Sequence, residues 1–226
     1  VLIFYDIPSA YKLSNFKLMW NQKNLNFLFK SGFFIFLINF FSVYIVNAPK
    51  YALDGRVADS LQAIFGIILM PATLVSLAIQ YFVQPYLQKL ALLFNELKKK
   101  EFNFLIAKLV LITIGLGIVC LLGAFLLGIP VLSLVYGVDL TSYKVDLLII
   151  ITGAIFYSMS IIFSAALTTV RYTFVQFVIY LITSAVGLVI APMLIKNYGV
   201  HGATYAYFLI MISQYILYII FYIALQ

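Results

Sequence analysis

The 226 residues are 65% hydrophobic and 9% charged, with a formal net charge of +7. A water-soluble domain of this size would be left with far too much uncovered apolar surface, so lipid is the solvent that suits it. The positive charge points to no nucleic-acid partner, because no basic stripe on a polar fold carries it; it sits in loops, where it reports topology.

In chain order, Val1 to Tyr5 reads as the tail of an apolar segment, so the chain is expected to be part of a longer one. Residues 1–26 are then the end of a preceding transmembrane helix followed by a cytoplasmic interfacial segment, with Leu13, Phe16 and Trp20 as its apolar stripe and Trp20 as an interface anchor. Spanning hydrocarbon by α-helix takes roughly 20 mostly apolar residues, because each rises about 1.5 Å and the backbone must satisfy its own hydrogen bonds. Six stretches within 27–226 meet that test, near 27–46, 60–83, 104–128, 147–170, 173–195 and 200–225. They are apolar on every face and about twice as long as a barrel strand, which makes the fold class all-α, a polytopic transmembrane helical bundle.

Between them lie a polar loop 47–59, a charged linker 84–103, a loop 129–146 and two tight connections. Alternating the compartments places Lys12, Lys17, Lys23, Lys30, Lys89, Lys98, Lys99, Lys100, Lys108 and Arg171 on one side, and Lys50, Arg56, Lys144 and Lys196 on the other. Ten against four puts the first group, and both ends of the chain, in the cytoplasm. In the linker, Leu87, Leu90, Phe94 and Leu97 recur at helical spacing, which predicts an amphipathic surface helix, and Lys98 to Lys100 fall where anionic headgroups lie. That cluster reads as a topology signal or as lipid recognition.

Small residues four apart, such as Ala124 and Gly128, Ser160 and Ser164, and Thr183 and Gly187, allow close helix contact. Pro71 in the second helix and Pro192 in the fifth each remove a backbone donor and are the candidate hinges. Cys120 is the only cysteine, so no internal disulfide forms.

The chemistry of the remaining residues is sparse. The seven acids, Asp6, Asp54, Asp59, Glu96, Glu101, Asp139 and Asp146, read as loop residues, which leaves no carboxylate near the middle of a helix to relay protons or sodium. No Walker loop, GxSxG or HExxH is present, and the single His201 has no second histidine with which to share a metal, so neither enzyme nor cofactor nor metal site is expected. His201 reads as a headgroup-level residue. Asn39, Gln62, Gln80, Gln176 and Gln214 interrupt apolar runs, and each must face a partner helix or a wet cavity. Interhelical bonding and a polar cavity for sugar hydroxyls are the two readings. At the external loop, Asn47, Lys50 and Arg56 are candidates to meet substrate, since cations there suit a phosphate, although pairing with Asp54 and Asp59 is the alternative. Arg171, in the tight turn between the fourth and fifth helices, is a topology determinant or a contact for pyrophosphate.

The segments Tyr5-Asp6-Ile7-Pro8, Asn47-Ala48-Pro49-Lys50-Tyr51-Ala52, Tyr136-Gly137 and Tyr198-Gly199-Val200-His201-Gly202-Ala203 together resemble those of Wzx-type polysaccharide repeat-unit flippases, in the multidrug/oligosaccharidyl-lipid/polysaccharide exporter superfamily. The resemblance implies that the chain is the second, six-helix lobe of a roughly twelve-helix transporter in a bacterial cytoplasmic membrane. It further implies that a polyprenyl-pyrophosphate-linked oligosaccharide is flipped for capsular or extracellular polysaccharide biosynthesis, with lipid-linked oligosaccharide, membrane lipids, and polymerase and export machinery as partners. A multidrug exporter of the same superfamily would more naturally carry buried carboxylates. A membrane-embedded polysaccharide polymerase would need a longer, more charged external loop than 129–146.

Overall fold

A computed structural model describes residues 22–225, of which 23–28, 30 and 31 are described by backbone only. The expected preceding helix, the Trp20 stripe, Lys12, Lys17 and the Tyr5 to Pro8 segment lie outside the described residues. Among those described, all regular structure is helical: α1 Gln22–Leu53, α2 Asp59–Val83, α3 Tyr86–Asn95, α4 Lys99–Gly123, a π-helical segment Ala124–Gly128, α5 Ile129–Tyr136, a 3₁₀ turn Thr141–Tyr143, α6 Lys144–Thr169 and α7 Thr173–Ala224. Five stretches are long and apolar enough to cross a membrane, at Gly32–Leu53, Asp59–Val83, Lys99–Tyr136, Thr141–Thr169 and Thr173–Ala224. The chain is a multi-pass membrane protein.

The last stretch, 52 residues, would run roughly 78 Å if straight, far more than a hydrocarbon core of about 30 Å. It folds back instead. Gly199 takes φ 58° and ψ −129°, a conformation that side chains resist, and divides α7 into arms 173–198 and 200–224. The two arms lie against each other, because the rings of Tyr180 and Tyr218 meet with centroids 6.3 Å apart. At the tip, a Cβ added to Gly202 would lie 2.2 Å from the Leu194 carbonyl oxygen, so this close approach requires glycine.

Side-chain chemistry places α6 at the centre. Gly153 admits the ring of Tyr207 from the second arm of α7, and Gly117 admits Ile155 of α6 against α4. Phe156 packs on Phe208 and Tyr215, and Phe163 on Tyr215 and Tyr222. Helix α1 lies on the first arm of α7 through Phe34 against Phe174 and Phe177. In lipid such packing, rather than exclusion of water, holds helices together.

Three expectations are corrected. First, α1 does not stop near Val46 but continues to Leu53 through Pro49, so Asn47 and Lys50 are helical rather than loop residues. Ala48, Pro49, Ala52 and Leu53 are buried there, and their packing outweighs the missing donor of the proline. Second, the segment read as a loop at 129–146 contains α5, whose Pro130 stands in the first turn, where a missing N–H costs least. Third, the surface helix α3 turns Leu90 and Leu93 inward, whereas Leu97 lies past its end, 81% exposed. The helix ends before Leu97 because it closes at Asn95, with the Lys98 N–H donating to the Leu93 carbonyl.

Candidate functional site

The bundle has two unlike outer faces. From Leu111 to Val135 every exposed side chain is apolar, as contact with lipid tails demands. Helices α1 and α2 expose Asn39, Thr73 and Gln80 amid aromatic and aliphatic side chains, together with the phenols Tyr51 and Tyr81. An amide facing hydrocarbon costs free energy, so this second face suits water or another part of a larger assembly.

Asn39 stands on that face and donates through Nδ2 to the Ile35 carbonyl at 2.9 Å, which leaves its oxygen to accept. It lines a shallow cavity of about 390 Å³ with Phe36, Phe40, Val43, Tyr44 and Tyr51. Asn47, two turns on, likewise donates to the Val43 carbonyl at 2.9 Å. Lys50 is exposed in the last turn of α1. Arg56 does not pair with Asp54 or Asp59; its Nη1 donates to the Ala52 carbonyl at 2.8 Å and closes the end of α1. Gln62 is half-buried near the start of α2, and Gln80 is exposed near its end.

The remaining candidates lie elsewhere. Gln176 is buried and spends its amide nitrogen on α6, donating to the Ser164 carbonyl at 2.9 Å and to Thr168 Oγ1 at 2.8 Å. Gln214 is wholly buried between the arms of α7 and α6. There the Tyr180 hydroxyl lies beside Tyr218, Gln214 and Ser164, while both amide atoms of Gln214 and the Tyr218 hydroxyl lack a partner of full hydrogen-bond geometry. Arg171 is exposed in the turn between α6 and α7, with φ 66°. Pro71 and Pro192 both lie within continuous helix, and the sharp reversal of the chain is at Gly199. The nine candidate substrate contacts are thus spread over several helices; Asn39, Asn47, Lys50 and Arg56 share α1 and its end.

One constellation escaped the sequence reading. Asp146 is not a loop residue but stands in the first turn of α6, 3% exposed. Both its carboxylate oxygens lie 2.9 Å from Nδ1 of His201, which follows the Gly199 reversal. The imidazole stacks on Tyr143 at 5.7 Å between ring centroids, so His201 is tied into the fold at the reversal. The carboxylate also sits where the helix dipole favours negative charge. Nearby, Lys144 stands over the Phe125 ring at 4.1 Å, an arrangement that holds a cation at an apolar surface. In the connecting loop the Thr141 hydroxyl and backbone N–H hold the Asp139 carboxyl below its usual range.

No protein-family model matches the chain, and no solved structure gives a significant match. Over 174 residues it is 28% identical to a protein of Staphylococcus aureus named as the capsular polysaccharide biosynthesis protein CapF, a match covering 75% of this chain and 44% of that protein. The match thus spans less than half the length of that curated relative.

Proposed function

We propose that the chain is one lobe of a flippase that carries lipid-linked oligosaccharide units across the bacterial cytoplasmic membrane for capsular or extracellular polysaccharide biosynthesis. The similarity to a capsular polysaccharide biosynthesis protein supplies the process. The observation that carries the transport reading is the contrast between the lipid-suited outer face of α4 and α5 and the amide-bearing face of α1 and α2. A glycan crossing hydrocarbon must keep its hydroxyls and pyrophosphate in polar surroundings while its polyprenyl tail stays in lipid. Asn39 and Gln80 supply amides to such a path, with Lys50 near one mouth to attract the phosphates. The end that carries Lys99 and Arg171 faces the cytoplasm in this reading, by its excess of cations.

The lobe acts as a carrier and makes no covalent change to its cargo. The second lobe, the polysaccharide polymerase and the export machinery are its partners. Deleting the gene tests this: lipid-linked units should accumulate on the cytoplasmic leaflet. Unpolymerised units stranded outside would instead identify a polymerase.

A further inference from the structure

At the end of the bundle that carries Arg171, the last turns of α3, the start of α4 and the final turns of α6 and α7 enclose a groove of about 330 Å³. Its floor is apolar, formed by Leu93, Phe102 and Leu167, all buried. We propose that this groove binds an anionic phospholipid, with an acyl chain on the floor and the phosphate at the rim.

Two backbone features converge on it. Among the described residues, Leu97 and Arg171 are the only non-glycine residues with positive φ, at 57° and 66°. Each closes a helix, with the Lys98 N–H on the Leu93 carbonyl and the Tyr172 N–H on the Leu167 carbonyl, both at 3.0 Å. Glycine is the usual residue at such closures. Here one closure carries an apolar side chain, 81% exposed, on the wall of the groove. The other carries a cation between Val170 and Tyr172, which line the groove from the α6–α7 turn. An exposed leucine beside a basic rim suits an acyl chain joined to an anionic headgroup.

Charge selects the headgroup. Lys99 lines the groove and Arg171 stands between two residues that line it, whereas Lys98 is engaged by Glu96 at 2.8 Å and Glu101 is exposed in the first turn of α4. The Tyr222 hydroxyl donates to Asn103 Oδ1 at 2.7 Å, which leaves the Asn103 amide nitrogen to donate within the groove. Basic pockets between membrane helices recognise phospholipid headgroups in this way. A phospholipid fits better than the proposed oligosaccharide cargo, because α1 and α2 contribute nothing to the lining and few groups there could receive sugar hydroxyls. The inference needs only that the chain spans a membrane, not that it is a flippase.

The test is native mass spectrometry of the purified full-length protein with equal amounts of palmitoyl-oleoyl phosphatidylglycerol and phosphatidylcholine. Phosphatidylglycerol should be retained preferentially by the unaltered protein. The double variant Lys99→Ala/Arg171→Ala should bind it roughly 25-fold more weakly, about fivefold per cation. The control Lys144→Ala/Lys196→Ala, at the opposite end, should bind it as the unaltered protein does. Equal retention of the two lipids, or equal loss in the control, would overturn the site. Displacement of phosphatidylglycerol by equimolar undecaprenyl pyrophosphate would also overturn it, assigning the groove to cargo instead. Should the double variant not fold, Leu97→Glu, which puts a carboxylate at an exposed position on the wall, decides: retained phosphatidylglycerol binding contradicts the site and lost binding supports it.

Discussion

His201 Nδ1 lies 2.9 Å from both carboxylate oxygens of Asp146, joining the start of α6 to the Gly199 reversal of α7. The carboxylate is almost wholly buried, while the imidazole side chain is 51% exposed. His201→Ala would leave a buried carboxylate with one fewer partner, at a cost of about 1–3 kcal/mol. His201→Gln, which retains a donor, should recover part of it. Thermal unfolding of the purified protein in detergent measures both, and an unchanged midpoint for His201→Ala would show that the pair contributes no stability.

The hairpin of α7 makes a sharper demand. Gly202→Ala drives a Cβ onto backbone atoms of Leu194 and Ile195, which cannot rotate away as a side chain can. A loss of about 3 kcal/mol or more is expected. Gly199→Ala meets open space and suffers only from its backbone conformation, a loss of about 1–3 kcal/mol. Unfolding midpoints and yields of monodisperse protein should therefore rank Gly202→Ala below Gly199→Ala; the reverse order would contradict the close approach of the two arms.

Gln176 ties α7 to α6 by two hydrogen bonds. Gln176→Leu should cost about 1–3 kcal/mol of stability while leaving transport per folded molecule unchanged. Transport lost at unchanged stability would reassign Gln176 from the interhelical contact to the cargo path.

The amide-bearing face can be probed with thiols. In a Cys120→Ala background, Asn39→Cys and Gln80→Cys should react with a water-soluble maleimide, whereas Leu122→Cys, on the lipid-suited face, should not, since thiolate forms in water and not in hydrocarbon. Equal labelling at the three positions would remove the distinction between the faces.

Much of this architecture was legible in the sequence, and the reason is the solvent. A backbone in hydrocarbon must form helices, so long apolar runs mark helices directly. The reversal at Gly199 falls in the gap left between the stretches read at 173–195 and 200–225. The loops read at 47–59 and 129–146 are partly helical, because burial of Ala48 and Leu53 carries α1 onward through Pro49 and Pro130 falls in the first turn of α5. Leu97 misled in the opposite sense, since periodicity cannot show that a helix has already closed. The Asp146–His201 pair was hidden for another reason. Its members are 55 residues apart, and neither belongs to a motif that names the other. The amides were visible as candidates, but only packing separates Gln176, engaged with α6, from Asn39 and Gln80 on the outer face.

The most direct measurement follows a labelled lipid-linked oligosaccharide in everted membrane vesicles containing the full-length protein, asking whether it becomes accessible in the opposite leaflet. The flippase reading predicts movement that requires the protein and falls when Asn39 and Gln80 are both replaced by leucine at unchanged stability. No movement with intact, folded protein would contradict it.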